Sequence, residues 1–130
     1  MKKIILSLLL LLITVSSSVG ADLLGQLSAY FRDGDAKKIS GYFSPTVTLS
    51  ILNDNNVYSN VQAEIILETF FKMNRPVSVK ILHRLDNNPN YQHAVIQLKT
   101  TKGDYRVSYS TRENNSKSQL VELRIEKMKE

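Results

Sequence analysis

Apolar residues first recur at helical spacing along this chain and then settle into alternation. Leu23, Leu24, Leu27, Tyr30 and Phe31 share one helical face, with Asp22 placed to cap its start and Gly34 to stop it. A short second helix is predicted from Asp35, with Ile39 facing inward and Gly41 at its end. From Thr46 the period drops to two. Val47, Leu49 and Ile51 alternate with Thr46, Thr48 and Ser50, the pattern of a half-buried strand. The polar cluster from Asn53 to Asn56 reads as a turn, and Val57 and Tyr58 as a short returning strand. Ser59 and Gln62 form a capping box for a third helix. Its inner face is Ala63, Ile66, Leu67, Phe70 and Phe71, and Pro76 closes it.

Four further strands are expected, over 77–85, 91–100, 104–112 and 118–126. The turns between them are too short for parallel crossovers, which predicts an antiparallel meander. Alternation assigns two faces. The inward set is Val77, Val79, Ile81 and His83; Ala94, Ile96 and Leu98; Tyr105, Val107 and Tyr109; Val121, Leu123 and Ile125. The outward set is Ser78, Lys80, Leu82 and Arg84; Tyr91, His93, Val95, Gln97 and Lys99; Arg106, Ser108, Ser110 and Arg112; Leu120, Glu122, Arg124 and Glu126.

The N-terminus changes the picture of where this domain works. Lys2 and Lys3 precede an apolar run from Ile4 to Val15, followed by small residues up to Ala21. That is the layout of a signal peptide over 1–21, with cleavage after Ala21 or Gly20 and an uncleaved anchor as the alternative. The remaining domain, 22–130, is expected to be exported, periplasmic or secreted. No cysteine occurs in the 130 residues, which excludes thiol catalysis, thiolate metal sites and a lipid anchor on that residue. Loss of Lys2 and Lys3 leaves a net charge of +3, which favours anionic over cationic partners but is far from a nucleic-acid binder.

The order helix, short helix, strand, short strand, helix and four strands resembles the nuclear transport factor 2-like superfamily, whose α+β domains are also described as cystatin-like. The stretch from Leu27 to Phe43 is similar to that superfamily's opening, and Val57 to Phe71 to its third helix with the strand before it. The sequence is most similar to a family of small exported bacterial proteins of unknown function. The resemblance implies a cone: three helices of the N-terminal half packed on a curved antiparallel sheet, with a cavity at the open end. Tyr30, Tyr42, Phe70, His83, Tyr105 and Tyr109 are the residues expected near it. The enzymes of the superfamily carry a carboxylate inside the cone, together with a tyrosine or a second acid. The inward positions of 77–83 hold no Asp or Glu, so no isomerase or hydrolase activity carries over.

Within that cone His83 is the sole candidate base, for a ketosteroid-isomerase-like alternative. It has no orienting partner at a suitable spacing, and no catalytic residue is assigned. No metal site or cofactor is expected. The reading favoured is a noncatalytic module binding an apolar small molecule or a protein. The outward cations Lys80, Arg84, Lys99, Arg106, Arg112 and Arg124 form a candidate surface for an anionic partner. In the superfamily this same face commonly forms a homodimer.

Overall fold

The computed structural model describes residues 22–129; residues 1–21, on which the signal-peptide expectation falls, and Glu130 lie outside the described residues. Helix α1 runs Leu23–Asp33 because its apolar stripe has a core to meet and both ends are capped. The Asp22 carboxylate accepts from the Gly25 N–H at 3.2 Å, and Gly34 closes the helix in the left-handed region at φ 64°. Helix α2, Ala36–Ser40, starts at an Asp35 cap that accepts from the Lys38 N–H at 3.0 Å. Helix α3, Asn60–Met73, opens on the Ser59–Gln62 capping box.

The strands are β1 Phe43–Ile51, β2 Asp54–Ser59, β3 Pro76–Leu85, β4 Tyr91–Thr100, β5 Gly103–Asn114 and β6 Lys117–Lys127. They form one sheet in the order β2-β1-β6-β5-β4-β3. The meander β3 to β6 is antiparallel as the short turns require, and so is the β1–β2 hairpin. The β1–β6 ladder is parallel, and it joins the early hairpin to the meander's last strand. The chain between β1 and β6, which includes α3 and four strands, provides the long crossover a parallel pair needs.

The three helices cover the inner face of this sheet. Leu27 and Phe31 of α1, Leu67 of α3, and Ile96, Val107, Leu123 and Ile125 of the sheet are all fully enclosed. Each such side chain contributes about 1.5–3 kcal/mol relative to its exposed state. The interior of the cone is therefore filled by its own side chains, and space for a ligand lies at its margins.

Three bulges alter the face assignment, and the first, between Pro76 and Ser78 in β3, leaves Val77 as the extra residue, 58 % exposed where the alternation placed it inside. In β3 the register shifts between Ile81 and His83, so that His83 pairs with Val95 and Arg84 with the buried Ala94. The extra residue, Leu82, inverts the alternation beyond it. His83 thus stands exposed on the outer face, and Arg84 turns to the helix side, the reverse of the sequence expectation. In β6 Glu122 pairs with Ser110 but Leu120 with Thr111, which leaves Val121 as the extra residue. Leu120, expected outside, is consequently fully buried, while Val121 is only half-buried.

Candidate functional site

The six residues expected around a single pocket occupy separate places. Tyr109 belongs to the core: it stacks on Phe31 at 5.4 Å between centroids and donates its hydroxyl to the Leu24 carbonyl at 2.7 Å. Burial pushes its phenol far above the ordinary range, so it is locked as a donor. Tyr30 and Tyr42 stack on each other at 6.4 Å beside α2, with the Lys38 ammonium 5.6 Å from the Tyr30 ring. His83 is on the far side of the sheet. Phe70 and Tyr105 form a second pair, edge to face at 5.1 Å.

Those two lie under an apolar groove at one end of the cone. The groove has a volume of about 320 Å³ and is walled by Ile51, Leu52, Ile65, Ile66, Phe70 and Met73, with Thr69 and Asn74 completing it. Tyr105 donates to Asn74 Oδ1 at 2.8 Å, and Asn74 Nδ2 donates to the Phe70 carbonyl at 3.1 Å. This chain of bonds pins the end of α3 to the sheet and gives the groove a fixed floor. Its rim is unusual for a surface: Leu52 is 51 % exposed, Ile65 59 % and Met73 66 %.

Leu52 reaches that rim through a strained backbone. The β1–β2 turn consists of Leu52 and Asn53, one residue earlier than the Asn53–Asn56 cluster suggested, and Asp54 to Asn56 belong to β2. Leu52 sits at φ 56°, where a bulky side chain costs about 1–2 kcal/mol. Glycine is the residue such a hairpin position favours. The Leu52 N–H is fixed to the Ile125 carbonyl at 2.9 Å, which holds the turn in this form.

The sequence reading missed Leu52, Ile65 and Met73. A signal for two of them was present. Val61, Ile65, Thr69 and Met73 recur every four residues and make a second, mostly apolar face on α3 besides the core-facing one. Leu52 had no such signal, because its positive φ is a property of the folded turn.

Arg84, expected on the outer face, instead clamps the start of α1. It holds both Asp22 oxygens, at 2.9 and 2.6 Å, and also Asp86 at 2.9 Å. The guanidinium bond lowers the Asp22 carboxyl, while partial burial opposes it. The outer face keeps Lys80, Lys99, Arg106, Arg112 and Arg124, all exposed, and gains Asp104 beside Glu122 and Glu126. On the same face His93 Nδ1 lies 2.8 Å from Ser110 Oγ, which also accepts from the Tyr91 hydroxyl at 3.1 Å. Ser110 is 2 % exposed, so this serine–histidine pair is a packed contact and not an open nucleophile. Among the described residues no three His, Cys, Asp or Glu side chains converge as metal ligands, and no helix is long and apolar enough to cross a membrane.

Helices on one face of a curved six-stranded sheet, with a groove at the cone's end, define the nuclear transport factor 2-like, cystatin-like fold class. The chain belongs to the DUF4783 family, a domain of unknown function, whose family model matches residues 24–126. A crystal structure of a DUF4783 family protein from Bacteroides uniformis is similar at TM-score 0.76 and 23 % identity, covering 80 % of this chain and 95 % of that one. A domain of unknown function with a cystatin-like fold from Nostoc punctiforme aligns at TM-score 0.65 and 11 % identity, covering 90 % and 80 %. A chain named Rd1NTF2_05 aligns at TM-score 0.61 and 14 % identity, covering 79 % and 92 %. These likenesses concern the fold alone. Among curated proteins no relative matches.

Proposed function

We propose that the mature chain is an exported, noncatalytic binding module that takes an uncharged apolar ligand in the groove between α3 and the β1–β2 turn. The observation that carries this reading is Leu52, a half-exposed leucine held at φ 56° on the groove rim. A residue that breaks the local turn rule and also exposes apolar surface points to a use outside folding. The groove's volume of about 320 Å³ falls at the small end of ligand sites, and its walls are apolar with polar groups at one end.

The polar groups at hand support binding over chemistry. Thr69 donates its hydroxyl to the Ile65 carbonyl at 3.0 Å, and the Tyr105 hydroxyl is spent on Asn74. None forms a base–nucleophile pair facing the groove. Export is supported by the charged, apolar and small-residue layout of residues 1–21.

The test is a fluorescence titration of residues 22–130 with N-phenyl-1-naphthylamine, an uncharged apolar dye, comparing the natural chain with Ile65→Glu. Ile65 is 59 % exposed, so the fold tolerates the change and the melting temperature should move little. Binding should weaken about tenfold or more, because a charge would be desolvated by the ligand. Equal binding by both chains refutes the groove as the site. A natural chain that ignores the dye yet captures a partner protein through Ile65 and Met73 replaces the small-molecule reading with a protein one.

A further inference from the structure

A second, polar concavity lies on the outer side of the sheet, independent of the groove. Its volume is about 620 Å³, and its walls include Gln97, Lys99, Lys102, Asp104, Lys127 and Lys129. Cross-strand register extends the charge beyond it. Lys80, Gln97, Arg106 and Glu126 lie opposite one another across β3, β4, β5 and β6, and Lys99 opposes Asp104 in the adjoining row. Among the described residues, Lys80, Lys99, Lys102, Arg106, Lys127 and Lys129 enter no ion pair, while Arg124 takes Glu126 at 3.4 Å. Six cations without an ion pair among the described residues therefore gather at this end of the sheet.

The lysines stand on ordered backbone. Thr100 Oγ1 accepts from the Lys102 N–H at 3.1 Å and donates to the Gly103 carbonyl at 2.7 Å, which closes the β4–β5 turn. The Met128 N–H donates to the Asp104 carbonyl at 2.9 Å and holds the last residues of the chain against β5. Gly103, at φ 128°, sits 3.7 Å from the Lys127 Cε when a Cβ is placed on it, so Lys127 lies across the turn. Within this ring of cations Gln97 Nε2 donates to Asp104 Oδ2 at 3.0 Å.

The pairing of cations with one carboxylate–amide couple selects a ligand class. A bare phosphate or a lipid headgroup layer would meet Asp104 as a like charge. A ligand that carries both anions and hydroxyls matches both parts. Its anions pair with the lysines, and its hydroxyls donate to the free Asp104 oxygen and accept from the remaining Gln97 N–H. We infer that the concavity formed by the β4–β5 turn and the end of β6 is a binding site for an acidic oligosaccharide. Its affinity comes from charge-assisted bonds at the rim and its selectivity from Gln97 and Asp104.

The test uses residues 22–130 and calorimetric titration with tetragalacturonate, its methyl-esterified neutral counterpart, inorganic pyrophosphate and phosphatidylglycerol vesicles. Tetragalacturonate should bind, should weaken steeply as salt rises, and should exceed the neutral oligomer. Lys102→Ala combined with Lys127→Ala should reduce its affinity about tenfold or more while the melting temperature holds, since both side chains are exposed. Asp104→Asn should weaken the oligosaccharide and strengthen pyrophosphate. Equal binding of charged and neutral oligomers, an unchanged double variant, or preference for pyrophosphate or vesicles overturns the assignment. The groove reading is untouched by any of these results, because the dye titration reads a different surface.

Discussion

The turns β1–β2 and β5–β6 are both two residues long, yet they treat their backbone differently. The β5–β6 turn places Asn115 and Ser116 at φ 52° and 64°, small polar residues that suit a turn with two positive φ values. The β1–β2 turn places Leu52 at φ 56°, although Asn53 stands next to it. One turn is built for closure alone. The other accepts strain and projects an apolar side chain over a groove. The difference teaches that a local rule broken beside an exposed apolar surface is a better marker of a site than any one titratable residue here.

The strongest way to break the comparison is to remove the floor the groove shares with the core. Phe70 is almost fully buried and meets Phe71 at 5.9 Å and Tyr105 at 5.1 Å. Phe70→Ala should cost about 3–5 kcal/mol, read as a lower midpoint in chemical unfolding. A loss below about 1 kcal/mol would mean that the groove end is not continuous with the core. Transplanting the strain sharpens the contrast next. Asn115→Leu should cost about 1–2 kcal/mol by the same measurement and leave dye binding as it was. Were Asn115→Leu neutral, positive φ at Leu52 would carry no cost either, and the Leu52 turn would not mark a site.

The smallest effect is expected far from both turns, at the Arg84 clamp. Arg84 holds the Asp22 carboxyl below its ordinary value of 3.8. A lowered carboxyl adds stability above its ordinary range and loses it as pH falls through the lowered value. The pair is half exposed, so solvent screening limits its worth to under about 1 kcal/mol. Arg84→Met should therefore lower stability slightly at neutral pH and flatten the decline between pH 5 and pH 2, within the carboxylate range. An acid limb of unchanged steepness would show that Asp22 gains nothing from the clamp.

Much of the architecture was legible in the sequence because capping and periodicity are local. Asp22, Gly34, Asp35 and the Ser59–Gln62 box mark the helix ends where the structure has them. Alternation failed where one extra residue entered a strand. Leu82 and Val121 are ordinary strand residues, and only the partner strand makes them bulges. That is why His83 and Arg84 exchanged faces and Leu120 moved inside. The exposed stripe of α3 was readable as spacing but was hidden by the stronger core stripe. The conformation of Leu52 was not readable, since a turn cluster of Asn and Asp immediately follows it and draws the turn forward.

The most direct test of the account is Leu52→Gly, followed by thermal unfolding and the N-phenyl-1-naphthylamine titration on the same sample. Glycine keeps the N–H that bonds to Ile125 and relieves the positive φ. The account predicts a more stable protein, by about 1 kcal/mol, that binds the dye more weakly. A variant that is no more stable, or one that binds the dye as well as the natural chain, would contradict it.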